Sequence, residues 1–546
     1  PYTVESETMT RELFETCLLL SKRLDKKYNK QTIAAKMTDV PGHTRSIIDP
    51  MYDAGIRLLH VGINSACPLP SVPTFCRWRS PSGNDLLLVY QKDYGEDEVL
   101  PDGKTVVSIN FTGDNHGPHS YERVKKIYAD LRKRYPQAQL VGASFNDVAR
   151  ELLLIKKDLP VVTSEIGDTW IFGYGGAPIR MAKFRAVSRL YSQWLNEGKI
   201  KKDSDVALDF AAELGLIAEH TQGVDVKTHL RQWDKYDMDK FLKGRSEGVF
   251  SMAEASWKEI DNYIDSAIAF LPASLQKEAR EVVAEVDKVK LEDNSKMKPM
   301  ARKRWEQPIA GGMTLAGLSY QMFDGDDYDD FQNRYLRARY GWALDDLGKR
   351  GLKESHAVSV TLYAQTMAQS VRKEKKGTRI ITELRFPENE KVDKRVYPER
   401  IQVNCFTTKN GKRSEVALTI YGKPAVRLPE SYWLSFTVPG IELVIAEKMG
   451  ERVNLMDVVE KGNRQMHGID RYVDLITSGE TIRISSKEAF LLNVGEAQGL
   501  NYSTNYPDKR KGVHFNLNNN LWGTNFSMWN EGSLTYHFVI ETLSRK

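Results

Sequence analysis

The periodicity of apolar residues changes twice along this chain, and this change limits the folds that it can adopt. Over residues 32–166, apolar runs such as IRLLHVGI and NDLLLVYQ alternate with amphipathic stretches such as YERVKKIYADLRKRY. Strands that alternate with helices favour a parallel, barrel-like α/β domain. Residues 177–350 have helical periodicity and predict packed helices. After residue 354, short β-rich runs separated by turn signals predict a β-sandwich.

These patterns predict a multidomain fold that combines α/β with all-β structure. We expect a (β/α) barrel over residues 1–245, a helical bundle over 246–353 and a β-sandwich over 354–546. A chain of 546 residues is too long for a single core and agrees with about three domains.

Composition narrows the class of protein further. The net charge of +5 is small for this length and gives no support for a nucleic-acid partner. No apolar run reaches the length of a membrane span. The four cysteines show no CxxC spacing, so neither a zinc ribbon nor a dense disulfide framework is implied.

The stretch MTDVPGHTRSII places Asp39 at a corner where a predicted strand ends and a helix begins. In α/β folds this edge of the sheet is where ligands bind. A carboxylate there can bind a metal, act as a nucleophile or accept a substrate hydroxyl. The alternative is a plain turn, since Asp, Pro and Gly commonly separate a strand from a helix.

Three further stretches hold residues that suit a binding site. NFTGDNHGPHSYERV contains His116 and His119, and IAEHTQGVDVKTH contains His220. TSEIGDTWIFGYGGAPIRMAKFR contains two acids, two aromatic residues and two arginines: Glu165, Asp168, Trp170, Tyr174, Arg180 and Arg185. The stretches that follow predicted strands should converge at one barrel mouth, and such a mixture suits an acidic sugar. Each residue also has a structural alternative, as a helix cap, a turn or a solvated helix face.

The order of these motifs resembles the α-mannosidase-like glycoside hydrolases of family 38. It resembles more closely a branch that includes polysaccharide lyase family 27, whose members cleave L-rhamnose-α-1,4-D-glucuronate at the tips of arabinogalactan side chains. DVPGHT is similar to the mannosidase motif whose Asp is both nucleophile and metal ligand, which implies that role for Asp39. EHTQGVDVKTH is similar to a motif with a metal-binding histidine, which implies that role for His220.

The resemblance implies one divalent metal ion, Zn or Ca, and we expect Asp39 and His220 to face one pocket. The mannosidase metal also needs a His and an Asp from the first barrel strand, and we expect this ligand set to be incomplete here. The resemblance further implies a secreted, periplasmic or cell-surface location in a glycan-degrading bacterium.

We therefore predict a polysaccharide lyase that cleaves a rhamnose–glucuronic acid linkage by β-elimination. The predicted proton-transfer residues are His116, His119 and Tyr174, with His43 and Tyr94 next. The predicted substrate-binding residues are Trp170, Arg180, Arg185, Glu165 and Asp168. Two alternatives stay open, a metal-dependent mannosidase-like hydrolase and a non-catalytic carbohydrate-binding scaffold. The expected partner is an oligosaccharide or polysaccharide, and the oligomeric state is left open.

Overall fold

The computed structural model describes residues 2–113, 116–167, 169–293, 295 and 297–543. Its N-terminal part contains one five-stranded sheet and a short two-stranded ribbon. The strands are β1 (Ala34–Asp39), β2 (Leu58–Ile63), β3 (Phe75–Arg79), β4 (Asp85–Gln91), β5 (Glu98–Val99), β6 (Val106–Val107) and β7 (Val161–Val162).

The five-stranded sheet has the order β1-β2-β4-β3-β7. β1, β2 and β4 are parallel, whereas β3 runs antiparallel to β4. Among the described residues the sheet has two free edges and does not close, so the predicted barrel is wrong for this part of the chain.

The barrel fails because two apolar runs do not join the sheet. β6 pairs only with β5, as a separate ribbon. The run AQLVGAS, over residues 138–144, forms no strand and is mostly exposed. A strand needs a hydrogen-bonded neighbour as well as apolar residues, and these runs have none in the sheet.

Helices pack on both faces of the five-stranded sheet, and further helices follow as far as residue 346. They are α1 (Arg11–Tyr28), α2 (Ile48–Asp53), α3 (Tyr121–Arg134), α4 (Phe145–Leu154), α5 (Pro178–Asn196), α6 (Asp205–Leu214), α7 (Val226–His229), α8 (Met238–Ser246), α9 (Ser251–Ala269), α10 (Ala273–Asp287), α11 (Gly325–Tyr335) and α12 (Gly341–Asp346). α6 packs against α1 and α9, and α5 packs against α10. The helical periodicity therefore reflects apolar faces that are buried against neighbouring helices. No helix among the described residues is long and apolar enough to cross a membrane.

The remaining strands form two antiparallel sheets. They are β8 (Lys298–Pro299), β9 (Gln307–Pro308), β10 (Thr314–Met322), β11 (Val360–Tyr363), β12 (Gln365–Lys373), β13 (Gly377–Arg385), β14 (Arg400–Thr408), β15 (Arg413–Lys423), β16 (Glu430–Thr437), β17 (Ile441–Lys448), β18 (Glu451–Asn454), β19 (Met466–Gly468), β20 (Tyr472–Thr477), β21 (Thr481–Ser486), β22 (Leu491–Val494), β23 (Val513–Asn519) and β24 (Gly532–Leu543). A seven-stranded sheet contains β9–β11, β16, β19, β22 and β23, and a ten-stranded sheet contains the others.

The two sheets pack against each other through aromatic side chains. Phe436 and Phe515 of the seven-stranded sheet lie 5.4 Å and 5.1 Å, between ring centroids, from Phe538 of the ten-stranded sheet. This is the sandwich that the β-rich pattern predicts. β10 lies within the range predicted as helical, and the three proposed domain ranges stay predictions.

The N-terminal part is fixed to the sandwich by buried polar contacts. Asn519 on β23 donates a hydrogen bond of 2.9 Å to the carbonyl oxygen of Phe172. Lys448 on β17 forms ion pairs of 2.9 Å with Glu7 and 3.2 Å with Glu165. These contacts hold the loops beyond the five-stranded sheet in place.

Candidate functional site

Three polar residues meet at the carboxyl edge of the five-stranded sheet. Asp39 ends β1, Asn64 follows β2, and Tyr94 follows β4. Because these three strands are parallel neighbours, their carboxyl ends reach the same edge. Asp39 and Tyr94 both have positive φ angles, of 81° and 67°. Such backbone strain in residues other than glycine is often retained at functional sites.

Asp39 is held by three hydrogen-bonding side chains. Tyr94 donates its hydroxyl to Oδ1 over 2.6 Å, and Asn64 donates Nδ2 to the same oxygen over 3.0 Å. Nε2 of His220 lies 3.1 Å from Oδ2. The carboxylate of Asp39 is therefore oriented from two sides. We call Asp39, Asn64, Tyr94, Glu219 and His220 the Asp39 cluster.

His220 does not follow a strand of the sheet, and its position is fixed by contacts with residues near the N-terminus and with Glu219. Its backbone N–H donates to the carbonyl oxygen of Thr3 over 3.1 Å. Nδ1 lies 2.5 Å from Oε1 of Glu219, so the imidazole is sandwiched between two carboxylates. The ring of Trp170 lies 6.2 Å from the imidazole, between centroids, and forms a wall beside it.

The charges of the cluster follow from these contacts. Burial lowers the pKa of His220, but the hydrogen bonds and charges of Asp39 and Glu219 outweigh burial and raise it to about 10. Burial raises the pKa of Asp39, but His220, Tyr94 and Asn64 reverse this effect, and the net pKa is lowered. Burial also raises the pKa of Glu219, but the hydrogen bond and charge of His220 reverse this effect, and the net pKa is lowered. At neutral pH the cluster therefore holds one imidazolium and two carboxylates.

The cluster is shielded from solvent but can be reached from it. The side chains of Asp39 and His220 are 14% and 16% exposed. Partial burial strengthens the electrostatic interactions in the cluster, because the local dielectric is lower than that of water.

The structure brings four of the predicted site residues together: Asp39, Tyr94, Trp170 and His220. Asn64 was missed by sequence reasoning. Its position directly after a strand is the signal that identifies it, because Asp39 and Tyr94 occupy equivalent positions at the ends of parallel neighbours.

Both predicted arginines are engaged elsewhere, which does not support their predicted role at a substrate carboxylate. The three nitrogens of Arg180 contact the carboxylate of Asp261, the side chain of Gln222 and the carbonyl oxygen of Trp257. The three nitrogens of Arg185 donate to backbone carbonyl oxygens of the sandwich: Lys487, Ile469 and Asp470.

Two other predicted residues are buried in structural contacts. Glu165 accepts hydrogen bonds from Thr44 and from the backbone of Arg45 and pairs with Lys448, so it links the N-terminal part to the sandwich. The hydroxyl of Tyr174 donates to the carbonyl oxygen of Glu219 over 2.7 Å. Tyr174 therefore supports the cluster from behind, and its buried ring does not suit the predicted proton transfer to substrate.

The predicted histidines lie in different environments. Burial lowers the pKa of His43 to about 3, so its imidazole is uncharged, and Nδ1 lies 3.4 Å from Oγ of Ser6. His116 is exposed, and Nε2 of His119 lies 3.0 Å from the carbonyl oxygen of Asn110 in the same loop. This loop reaches the cluster through Phe111, whose ring lies 5.1 Å from that of Tyr94. Asp168 lies outside the described residues.

The donor set does not fit the metal site that the resemblance implies. Within the described ranges, no group of three or more His, Cys, Asp and Glu side chains is arranged to hold a metal ion. A catalytic zinc site uses three protein ligands. Asp39 and His220 supply two, and both are already engaged with Tyr94, Asn64 or each other.

Comparisons with known proteins identify the fold but not the family. The family described as Domain of unknown function (DUF5054) matches residues 175–307, about a quarter of the chain. No curated protein matches the sequence.

Solved structures with the same overall fold include an α-mannosidase from Enterococcus faecalis V583. It is 10% identical to this chain, with a TM-score of 0.57, and the match covers 99% of this chain and 77% of that one. A protein of glycosyl hydrolase family 38 from Enterococcus faecalis matches at 10% identity and a TM-score of 0.49, over 100% of this chain and 76% of that one. The chain thus has an α-mannosidase-like fold.

Proposed function

We propose that this protein is a carbohydrate-active enzyme that breaks a glycosidic linkage at the Asp39 cluster. The observation that carries this proposal is an ionised carboxylate on strained backbone, held by a phenol, an amide and an imidazolium. Such a cluster combines a fixed negative charge with groups that can donate protons. The α-mannosidase-like fold supports a glycan as substrate.

We further propose that the reaction is β-elimination at a rhamnose–glucuronic acid linkage of an arabinogalactan-type glycan. The proton at C5 of the uronate is removed, the bond from C4 to the glycosidic oxygen breaks, and that oxygen takes up a proton. The products are rhamnose and a 4,5-unsaturated uronide. In this scheme the carboxylate of Asp39 accepts the C5 proton, and Tyr94 gives its phenolic proton to the leaving oxygen. The proton on Asp39 then passes to Tyr94 along their hydrogen bond. His220 keeps the carboxylate of Asp39 ionised, so that it can accept the C5 proton.

A retaining hydrolase is the second candidate. Its nucleophile would be Asp39, because hydrogen bonds that lower a carboxyl pKa keep a nucleophile ionised. It also needs a carboxylic acid about 5–5.5 Å from the nucleophile to protonate the leaving group. Glu219 is the carboxyl group that shares His220 with Asp39, and His220 keeps it ionised. This charge state favours the lyase, in which a phenol supplies the proton.

The lyase would act on glycans outside the cell, and we therefore also propose a secreted, periplasmic or cell-surface location. The experiment incubates the protein with a rhamnose-capped glucuronide and follows both the ultraviolet absorbance of an unsaturated uronide and the release of rhamnose. A lyase gives both signals, whereas a hydrolase releases rhamnose without absorbance. Binding without either signal would indicate a non-catalytic scaffold.

A further inference from the structure

A small cavity outside the Asp39 cluster is lined by the cationic side chains Lys349, Arg350 and Arg427 and by the acid Asp345. Its volume is about 20 Å³, and Lys349, Arg427 and aromatic residues that include Trp233, Tyr236 and Trp522 line it. A cavity of this size holds one species about as large as a water molecule.

Arg427 is 3% exposed. In the part of the chain that the structure describes, neither Arg427 nor Lys349 forms an ion pair with an acid. The guanidinium lies over the ring of Tyr236, 4.2 Å from its centroid, and Nη1 lies 3.5 Å from the carbonyl oxygen of Trp233. Lys349 donates from Nζ to the carbonyl oxygen of Trp522 over 3.0 Å.

Asp345, which lines the cavity, and Asp234, whose charge acts on Arg427, each have another cation nearby. Asp345 pairs with Arg350 at 3.4 Å. Asp234 is 60% exposed and lies 3.6 Å from Lys235. A carbonyl oxygen or an aromatic ring stabilises a cation without cancelling its charge. The buried Arg427 and the half-buried Lys349 therefore line one small cavity, and holding two like charges there without a counter-ion is costly.

We propose that this cavity binds a single small inorganic anion, such as chloride. Its size excludes sulfate and larger anions, and its charge favours an anion over water. Burial, together with the charge of Arg427, lowers the pKa of Lys349 to about 7. An anion between the two side chains would offset that repulsion and keep Lys349 charged.

The experiment compares thermal unfolding in sodium chloride and in sodium gluconate at equal ionic strength, because gluconate is too large for the cavity. For the wild type the unfolding midpoint should be higher in chloride and should rise with chloride concentration, as for any ligand that binds only the native state. Arg427→Met should lose this difference. Arg231→Met, which changes an exposed arginine, should keep it.

Crystals grown in bromide give a second measurement that does not depend on how well the variant folds. An anomalous peak between Arg427 and Lys349 in the wild-type protein is expected. A water molecule at that position, or an equal chloride effect in wild type and Arg427→Met, would overturn the proposal. Neither result bears on activity at the Asp39 cluster, so the two proposals fail independently.

Discussion

At the scale of single residues, Asp39 combines backbone strain with a fully satisfied carboxylate. Its φ of 81° costs free energy, and the contacts of Tyr94, Asn64 and His220 fix the side chain that this conformation presents. A residue held in this way does not need to reorganise when charge develops on a substrate, which is how preorganised sites lower barriers.

Asp39→Asn should reduce turnover of a glycan substrate by at least about 10²-fold, the lower end for a proton-transfer group. The amide keeps the size of the side chain but removes its charge. Turnover is measured on the rhamnosyl-glucuronide with circular dichroism as a folding control. Asp53→Asn is the matched variant, because its side chain is 67% exposed, and it should keep wild-type turnover. Equal activity of both variants would show that the reaction occurs elsewhere.

Glu219→Gln should lower the pKa of His220 from about 10, because one of its two carboxylate partners is lost. A raised folded-state pKa stabilises the fold fully below the ordinary value of 6.5, and this contribution is lost as pH rises through about 10. In the variant this contribution should therefore be smaller, and its loss should be complete at lower pH.

The measurements are an NMR titration of the His220 imidazole and urea unfolding across that pH range. Glu151→Gln, which changes an exposed residue of α4, serves as the control and should leave the titration unchanged. A His220 pKa that is the same in Glu219→Gln and wild type would contradict the ion-pair assignment.

At the scale of elements, a buried lysine joins three segments that are distant in sequence. Lys448 on β17 pairs with Glu7 in the N-terminal turn Ser6–Thr8 and with Glu165 after β7. All three side chains are almost fully buried. The cost of desolvating these buried charges offsets much of their Coulomb attraction. The main effect of the ion pairs is therefore to fix the position of the loops beside the cluster relative to the sandwich.

Lys448→Met should lower the free energy of unfolding by about 3–5 kcal/mol, since two carboxylates stay buried without a cation. Lys511→Met, which removes an exposed ion pair with Glu496, should cost about 0–1 kcal/mol. Urea unfolding of both variants gives the comparison. Adding Glu7→Gln and Glu165→Gln to Lys448→Met should restore part of the loss; no recovery would mean that packing rather than charge sets the cost.

At the scale of the whole molecule, the sandwich begins before the β-rich half of the sequence. β10 (Thr314–Met322) lies between β11 and β16 in the seven-stranded sheet, although a helical segment follows it. Its residues Leu315, Leu318 and Tyr320 are completely buried. The chain therefore cannot be divided near residue 354 without exposing apolar surface.

A chain ending at residue 353 should aggregate, because β10 loses β11 and β16, keeps only the short pairing with β9 and exposes these side chains. Co-expression with residues 354–546 should give a soluble complex. Size-exclusion chromatography and circular dichroism distinguish the two outcomes. A soluble, folded monomer of residues 1–353 alone would show that the predicted boundary is a true domain boundary.

The features that depend on the local order of residues could be predicted from the sequence alone. Apolar periodicity predicted packed helices after residue 177, where α5–α10 lie, and a β-sandwich after residue 354, because the spacing of buried residues follows directly from helix and strand geometry. The strand-to-helix corner singled out Asp39, and the motif resemblance linked it to His220, which lies 3.1 Å away despite the distance between them in sequence.

Which polar residues are free to bind a ligand depends on long-range contacts that form only in the folded chain. Arg180, Arg185 and Glu165 look like binding residues in the sequence, but their atoms are used in contacts with residues far along the chain. The open five-stranded sheet was likewise decided by long-range pairing, since an apolar run becomes a strand only where a neighbour accepts its hydrogen bonds. Local sequence encodes the tendency of a segment to form a helix or a strand. Its neighbours in the folded chain decide which sheet the segment joins and which side chains stay free to bind a ligand.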